Sequence, residues 1–236
     1  MKILHYYHDI MNLYGDYANV LALQDMLTRA GEEVVIEKKT IGEAVRLSDY
    51  AFIYIGSGTE RNQKVVLEDL RLHSDELREY IESRKPVLMT GNSFEMLGKT
   101  LTDCSGKVYQ GLALMDFTST EQNKTRNTSD AILTADFLER PLVGFINKCS
   151  TIAGVTTPLF TVKMGLGNQA NDQYEGVRLK NLFGSHLTGP VLMKNPEFLV
   201  YITSLLTKNV PEVNPLQQNG YETTLKELTK RMNEGE

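Results

Sequence analysis

Short apolar runs alternate with segments of helical period along the first hundred residues, and turn residues punctuate each change. Lys2 to Tyr7 reads as a strand, followed by a loop at Asn12-Leu13-Tyr14-Gly15-Asp16. Asp16 is placed to cap a helix whose apolar positions are Val20, Leu21, Leu23, Met26 and Leu27, and Gly31 ends it. Val34 to Ile36 reads as the next strand. Ala51 to Ile55 is a continuous apolar run ending in Gly56-Ser57-Gly58, and Val65 to Arg84 has helical period, with Val66, Leu67, Leu70, Leu77 and Ile81 as its buried face. Pro86 to Thr90 is another buried strand, broken at Gly91-Asn92-Ser93 and followed by a short helical piece, Phe94 to Gly98. This alternation predicts an α/β fold built on a mainly parallel sheet, with chemistry presented where strands turn into helices.

From about Gly111 to Gly189 the texture changes to Thr, Ser, Asn and Gly with shorter apolar runs, which predicts antiparallel strands and surface loops. Val191 to Leu206 reads as one closing helix. Pro211 to Pro215 reads as a linker, and the charged stretch Glu222 to Met232 as a loose helix or a frayed end. Residues 1–208 are therefore expected to form one domain and residues 209–236 a tail.

The 236 residues are 41% apolar and 23% charged, ordinary for a globular chain and far from a disordered one. A formal net charge of -5 without clustered Lys or Arg argues against nucleic acid as a partner. No run approaches the ~20 apolar residues of a membrane span, and the N-terminus meets charge too early for a signal peptide, so a cytoplasmic location is expected. Cys104 and Cys149 lie in unrelated contexts, without CxxC spacing or a neighbouring His; reduced, partly buried thiols and no metal site are expected.

The segments Asn12 to Asp16 with Asn19, Ile55-Gly56-Ser57-Gly58 with Gln63, Met96-Leu97-Gly98, Leu142 to Phe145, Glu175 to Arg178 with Lys180-Asn181, Gly184 to Pro190 and Lys194-Asn195-Pro196 occur in a specific order and spacing. In that order they resemble the class I glutamine amidotransferases of the cobyric acid synthase type, and within them the glutaminase subunits of lipid II isoglutaminyl synthases. The likeness runs from Ile3 to about Leu206. It implies a three-layer, flavodoxin-like fold with a mostly parallel central sheet and no cofactor. The reaction it implies is attack of a cysteine thiolate on the carboxamide of glutamine, with a histidine moving the proton and ammonia leaving to a Mur-ligase-like partner synthetase.

Carried onto this chain, the resemblance puts Gly91 at the nucleophile position and Thr188, before Gly189-Pro190, at the base position. Neither side chain can do that work. Ser93, Cys104 and His186 are the weak substitutes, and His186 is expected to pack or hydrogen-bond beside the site. Gly56, Ser57 and Gly58 would supply N–H groups to an oxyanion or form a plain turn; Asn92 belongs to the same pocket. Arg126, in Lys124-Thr125-Arg126-Asn127, falls about where the family grips a substrate carboxylate. Glu60 and Glu95 stand near the two glycine turns and read as surface caps. Two readings follow. One is a pseudoenzyme that keeps a partner surface or a pocket for a glutamine-like ligand. The other is an active amidotransferase or hydrolase with a rearranged site, feeding ammonia to cell-wall precursor or cobalamin-type amidation.

Overall fold

The computed structural model describes residues 1–122 and 126–234. Its first part is β1 (Lys2–Tyr6), α1 (Ala18–Arg29), β2 (Val35–Lys39), β3 (Phe52–Ile55), α2 (Glu60–Leu70), α3 (Ser74–Glu82) and β4 (Val87–Thr90). Short strands follow: β5 (Thr100–Thr102), β6 (Val108–Gln110), β7 (Thr118–Glu121), β8 (Asn127–Thr134), β9 (Leu142–Lys148) and β10 (Ser150–Ala153). Then come β11 (Phe160–Met164), β12 (Tyr174–Glu175), β13 (Val177–Leu179), β14 (Leu182–Ser185) and β15 (Leu187–Thr188). The chain closes with α4 (Val191–Lys194), α5 (Pro196–Ser204) and α6 (Pro215–Glu234).

The central sheet has the order β13-β14-β4-β3-β1-β2, parallel except for the β13–β14 hairpin. Period-two alternation splits its side chains between two cores. Leu4, Ile53, Val87 and Leu182 face α2 and α3, while Ile3, Phe52, Leu88 and Phe183 face α1, α4 and α5. Helices on both faces give the three layers. Two smaller sheets stand beside this core: β10-β7-β5-β6, with one parallel pair, and the wholly antiparallel β12-β11-β8-β9-β15.

Three elements differ from the periodicity reading. The helical stretch before β4 begins earlier, at Glu60, because Thr59 caps it by accepting the Asn62 N–H, and three residues of tighter helix separate α2 from α3. Pro196, which has no N–H to donate, starts α5 and so splits the closing helix in two. The charged C-terminal stretch is a 20-residue helix from Pro215 that packs on the five-stranded sheet, not a loose end. Tyr221, Leu225 and Leu228, spaced by four and three, meet Ile132 and Val143. Arg140 adds a fork onto Glu222 at 2.6 and 2.9 Å. None of the described helices is long and apolar enough to cross a membrane.

Asp16 does not cap α1. Its carboxylate crosses to the loop after β3, accepting the Ser57 N–H at 2.5 Å, and to the turn before α4, accepting the Gly189 N–H at 2.9 Å. Asn19, one turn on, donates to the Gly189 carbonyl and the Tyr54 hydroxyl and accepts the Leu192 N–H. Two buried side chains thus hold the β3 loop, the Gly189 turn and α4 in register. The approach is close: a Cβ at Gly56 would lie 2.5 Å from the Met11 carbonyl oxygen and 2.8 Å from Asp16 Oδ2.

Two outcomes test this packing. Tyr221→Ala removes a side chain that is 5% exposed and donates to the Pro141 carbonyl at 2.6 Å, and it is expected to lower the unfolding free energy by about 3 kcal/mol in urea melts. An effect within ±0.5 kcal/mol would mean that α6 is not docked in solution. Burial raises the Asp16 carboxyl to about 7, against the pull of the Ser57 backbone and hydroxyl and the Gly189 N–H. Between its ordinary value of 3.8 and about 7 the folded chain keeps a proton that the unfolded chain releases, so stability falls as pH rises through that window. Measured against Asp16→Asn, which does not titrate, the native chain is expected to lose up to about 4 kcal/mol from pH 4 to 7. A flat difference between the two would show Asp16 charged throughout.

Candidate functional site

The carboxyl ends of β3 and β4 open side by side, and the cleft above them is lined by Ser57, Gly58, Gly91, Asn92, Arg126 and Thr188. Residues picked from four separate stretches of sequence therefore meet in one place. The remaining predicted residue, Gly56, lies beneath the loop against Met11 and Asp16. Lys124 and Thr125, which flank Arg126, lie outside the described residues. The cleft is closed down to a free volume of about 10 Å³, the room of one water.

Gly91 has φ of +62° at the sharp turn from β4 into a short, tight helix running to Leu97. A Cβ built there falls on the Ser57 side chain, 2.6 Å from its Cβ and nearer still to Oγ. Two of the three N–H groups expected to serve an oxyanion are already engaged, Ser57 N–H by Asp16 Oδ2 and Gly58 N–H by Asn92 Oδ1 at 3.0 Å. The loop is tied inward rather than left open to a developing charge. Asn92 is fixed in turn by Gln63, which donates to its carbonyl at 2.6 Å.

Arg126 reaches across the cleft, donating to Glu60 Oε1 at 2.7 Å and to Asn147 Oδ1 at 2.6 Å. Glu60 is not a surface cap. It also accepts from the Cys149 thiol at 3.1 Å, and although burial pushes it up, its own backbone N–H and Arg126 hold it below the usual carboxylate range. Burial, with the Glu60 charge beside it, pushes the Cys149 thiol up to about 12, so it is held as a thiol. Thr188 donates to the Phe145 carbonyl at 3.0 Å, within the β9–β15 ladder.

The proposed substitutes stand elsewhere. Ser93 is buried, its hydroxyl turned back to the Thr90 carbonyl at 2.8 Å and the Ile55 carbonyl at 3.1 Å. Cys104 is exposed on the hairpin after β5, and both cysteines are free. His186 does not share Thr188's side, because the chain changes sheet between β14 and β15 and the strand alternation breaks there. It is buried between two carboxylates, Nε2 lying 3.2 Å from Glu95 Oε1 and Nδ1 3.3 Å from Glu175 Oε1, the latter off the hydrogen-bonding angle.

Glu95, read from sequence as a surface cap, is likewise buried. Ser119 and Ser150 donate to it at 2.6 and 2.5 Å. Burial raises its carboxyl, but His186 and the two serines outweigh that and hold it below its usual range. Lys148, whose own pKa burial lowers, lies nearby and donates to the carbonyls of Gly167 and Asn168. This set joins the central sheet to the two smaller ones and floors the cleft through Glu95, Lys148 and Ser150. Sequence reasoning placed Glu95 near the turn but took it for a surface cap, and it missed Asn147, Lys148 and Cys149 as neighbours of the site, since they come from the end of β9 and the residue after it, which carry no motif.

Residues 2–196 match the CobB/CobQ-like glutamine amidotransferase domain. The chain is 31% identical over 202 residues to the GatD subunit of lipid II isoglutaminyl synthase (glutamine-hydrolyzing) from Staphylococcus aureus, covering 86% of this chain and 82% of that one. Against the GatD subunit of the same enzyme from Streptococcus pneumoniae the identity is 28% over 229 residues, with 95% and 87% covered. Among solved structures, a glutamine amidotransferase superposes with a TM-score of 0.56 at 16% identity, covering 86% of this chain and 98% of that one. A glutamine amidotransferase from Thermotoga maritima gives 0.52 at 12%, with 99% and 94% covered. At such identities the superpositions speak to fold alone, and that fold is the flavodoxin-like class I arrangement described above. The family match and the sequence identities go further: this chain belongs to the CobB/CobQ-like glutamine amidotransferase family.

Proposed function

We propose that this protein is a glutamine amidotransferase-like subunit that does not hydrolyse glutamine. In this reading it serves as a binding or regulatory partner of a Mur-ligase-like synthetase, or holds a glutamine-like ligand without turnover. The observation that carries the reading is the pair of positions flanking the cleft. Amide hydrolysis needs a nucleophile on the strand-to-helix turn and a base within reach. Gly91 offers no side chain, Thr188 bonds the Phe145 carbonyl, and the His186 imidazole is locked between Glu95 and Glu175. Two relatives named as subunits of lipid II isoglutaminyl synthase support a partner synthetase of that class.

One observation favours a second reading, an active amidotransferase with a rearranged site. Cys149 lines the same cleft and hydrogen-bonds a carboxylate. A thiol held near 12 is a poor nucleophile at neutral pH, and a carboxylate of lowered pKa is a weak base toward it, so the geometry disfavours this route. The deciding experiment is ammonia release from glutamine by purified protein, alone and with a Mur-ligase-like synthetase, beside Cys149→Ala. No release above buffer in either setting is expected. Turnover abolished by Cys149→Ala would establish the second reading instead. A thermal shift with glutamine or with the synthetase would separate the ligand and partner branches.

A further inference from the structure

We infer that Ser57 and Gly91 are a compensating pair, and that the Ser57 hydroxymethyl group holds the turn in its non-nucleophilic state by filling the volume a side chain at position 91 would need. This deepens the inactive reading of the cleft and rests on it. Three observations meet at this point. A Cβ on Gly91 lands 2.6 Å from Ser57 Cβ and 3.2 Å from Ser57 Cα, far inside van der Waals contact. Ser57 cannot swing the whole residue aside, because its N–H is bound by Asp16 and its carbonyl accepts the Leu13 N–H at 3.0 Å. Its hydroxyl is buried without a hydrogen-bond partner, near enough to Asp16 to favour the carboxylate but outside bonding geometry.

The steric contact decides what the side chain does. The Ser57 Cβ and Cα that meet the built Cβ are held by the backbone, so rotating the hydroxyl does not clear the space beside Gly91. With Gly91 bare, the space beside it would otherwise be a void between the two strand-end loops, and interiors close such voids. The residue at 57 is therefore a steric determinant of whether the turn at 91 can carry a nucleophile. Replacing Gly91 and Thr188 alone leaves the obstruction in place.

A double-mutant cycle on the full chain reads this directly. Gly91→Ala meets two penalties, the left-handed φ and the clash with Ser57, and only the second depends on position 57. It is expected to lower Tm by about 6 °C in the native background and by about half of that in Ser57→Gly. Equal drops in both backgrounds would overturn the pairing. A second measurement uses Gly91→Cys with Thr188→His, with and without Ser57→Gly, and follows iodoacetamide labelling of the thiol at position 91 by peptide mass. About tenfold faster labelling with Ser57→Gly is expected, and an unchanged rate would also count against the pairing. Ammonia release by the native protein would instead overturn the inactive reading, while leaving the cycle's result standing.

Discussion

The cleft exists in this form because one buried carboxylate ties three pieces of chain together. Asp16 accepts N–H groups from the β3 loop and from the turn before α4, and Asn19 repeats the connection one helical turn later through Gly189, Leu192 and Tyr54. Desolvation opposes this arrangement, which is why the Asp16 carboxyl is raised despite its two backbone donors. Such a site costs stability and brings register in return. The loop bearing Ser57 is held against Gly91, and the strand bearing Thr188 is brought to the same edge of the sheet.

A second set of buried polar side chains does the equivalent task below the cleft. Glu95, His186 and Glu175, with serine hydroxyls around them, sit where the central sheet meets the two smaller sheets. Removing His186 would take from the buried Glu95 carboxylate one of its side-chain partners, so these residues are coupled as a structural unit. The histidine nearest in sequence to the family's base position is thereby committed to holding sheets together. Above it, Arg126, Glu60, Cys149 and Asn147 bond to one another and close the cleft.

Much of this was readable in the sequence, for identifiable reasons. The runs ending at Ile55 and Thr90 are short, apolar and stopped by glycine, and each is a parallel strand feeding a turn at the sheet edge. Arg126, Asn92 and Thr188 were placed at the site by family spacing, and they line one cleft. What escaped depends on contacts distant in sequence. Glu95 looked like a cap because it follows a turn, and only the packing of Ser119 and Ser150 around it makes it interior. Cys149 carried no motif and reaches the cleft through a change of sheet between β9 and β10. The docking of α6 turns on a single stripe, Tyr221, Leu225 and Leu228, in an otherwise charged segment.

The proposed inactivity requires that no side chain in this cleft is a nucleophile toward a glutamine carboxamide. A glutamine-shaped diazoketone, which alkylates such a nucleophile without requiring complete turnover, tests it most directly when the intact protein is incubated with the reagent at neutral pH and weighed by mass spectrometry. An unchanged mass is expected. A stoichiometric increase that peptide mapping places on Cys149, Ser57 or another cleft residue would contradict it.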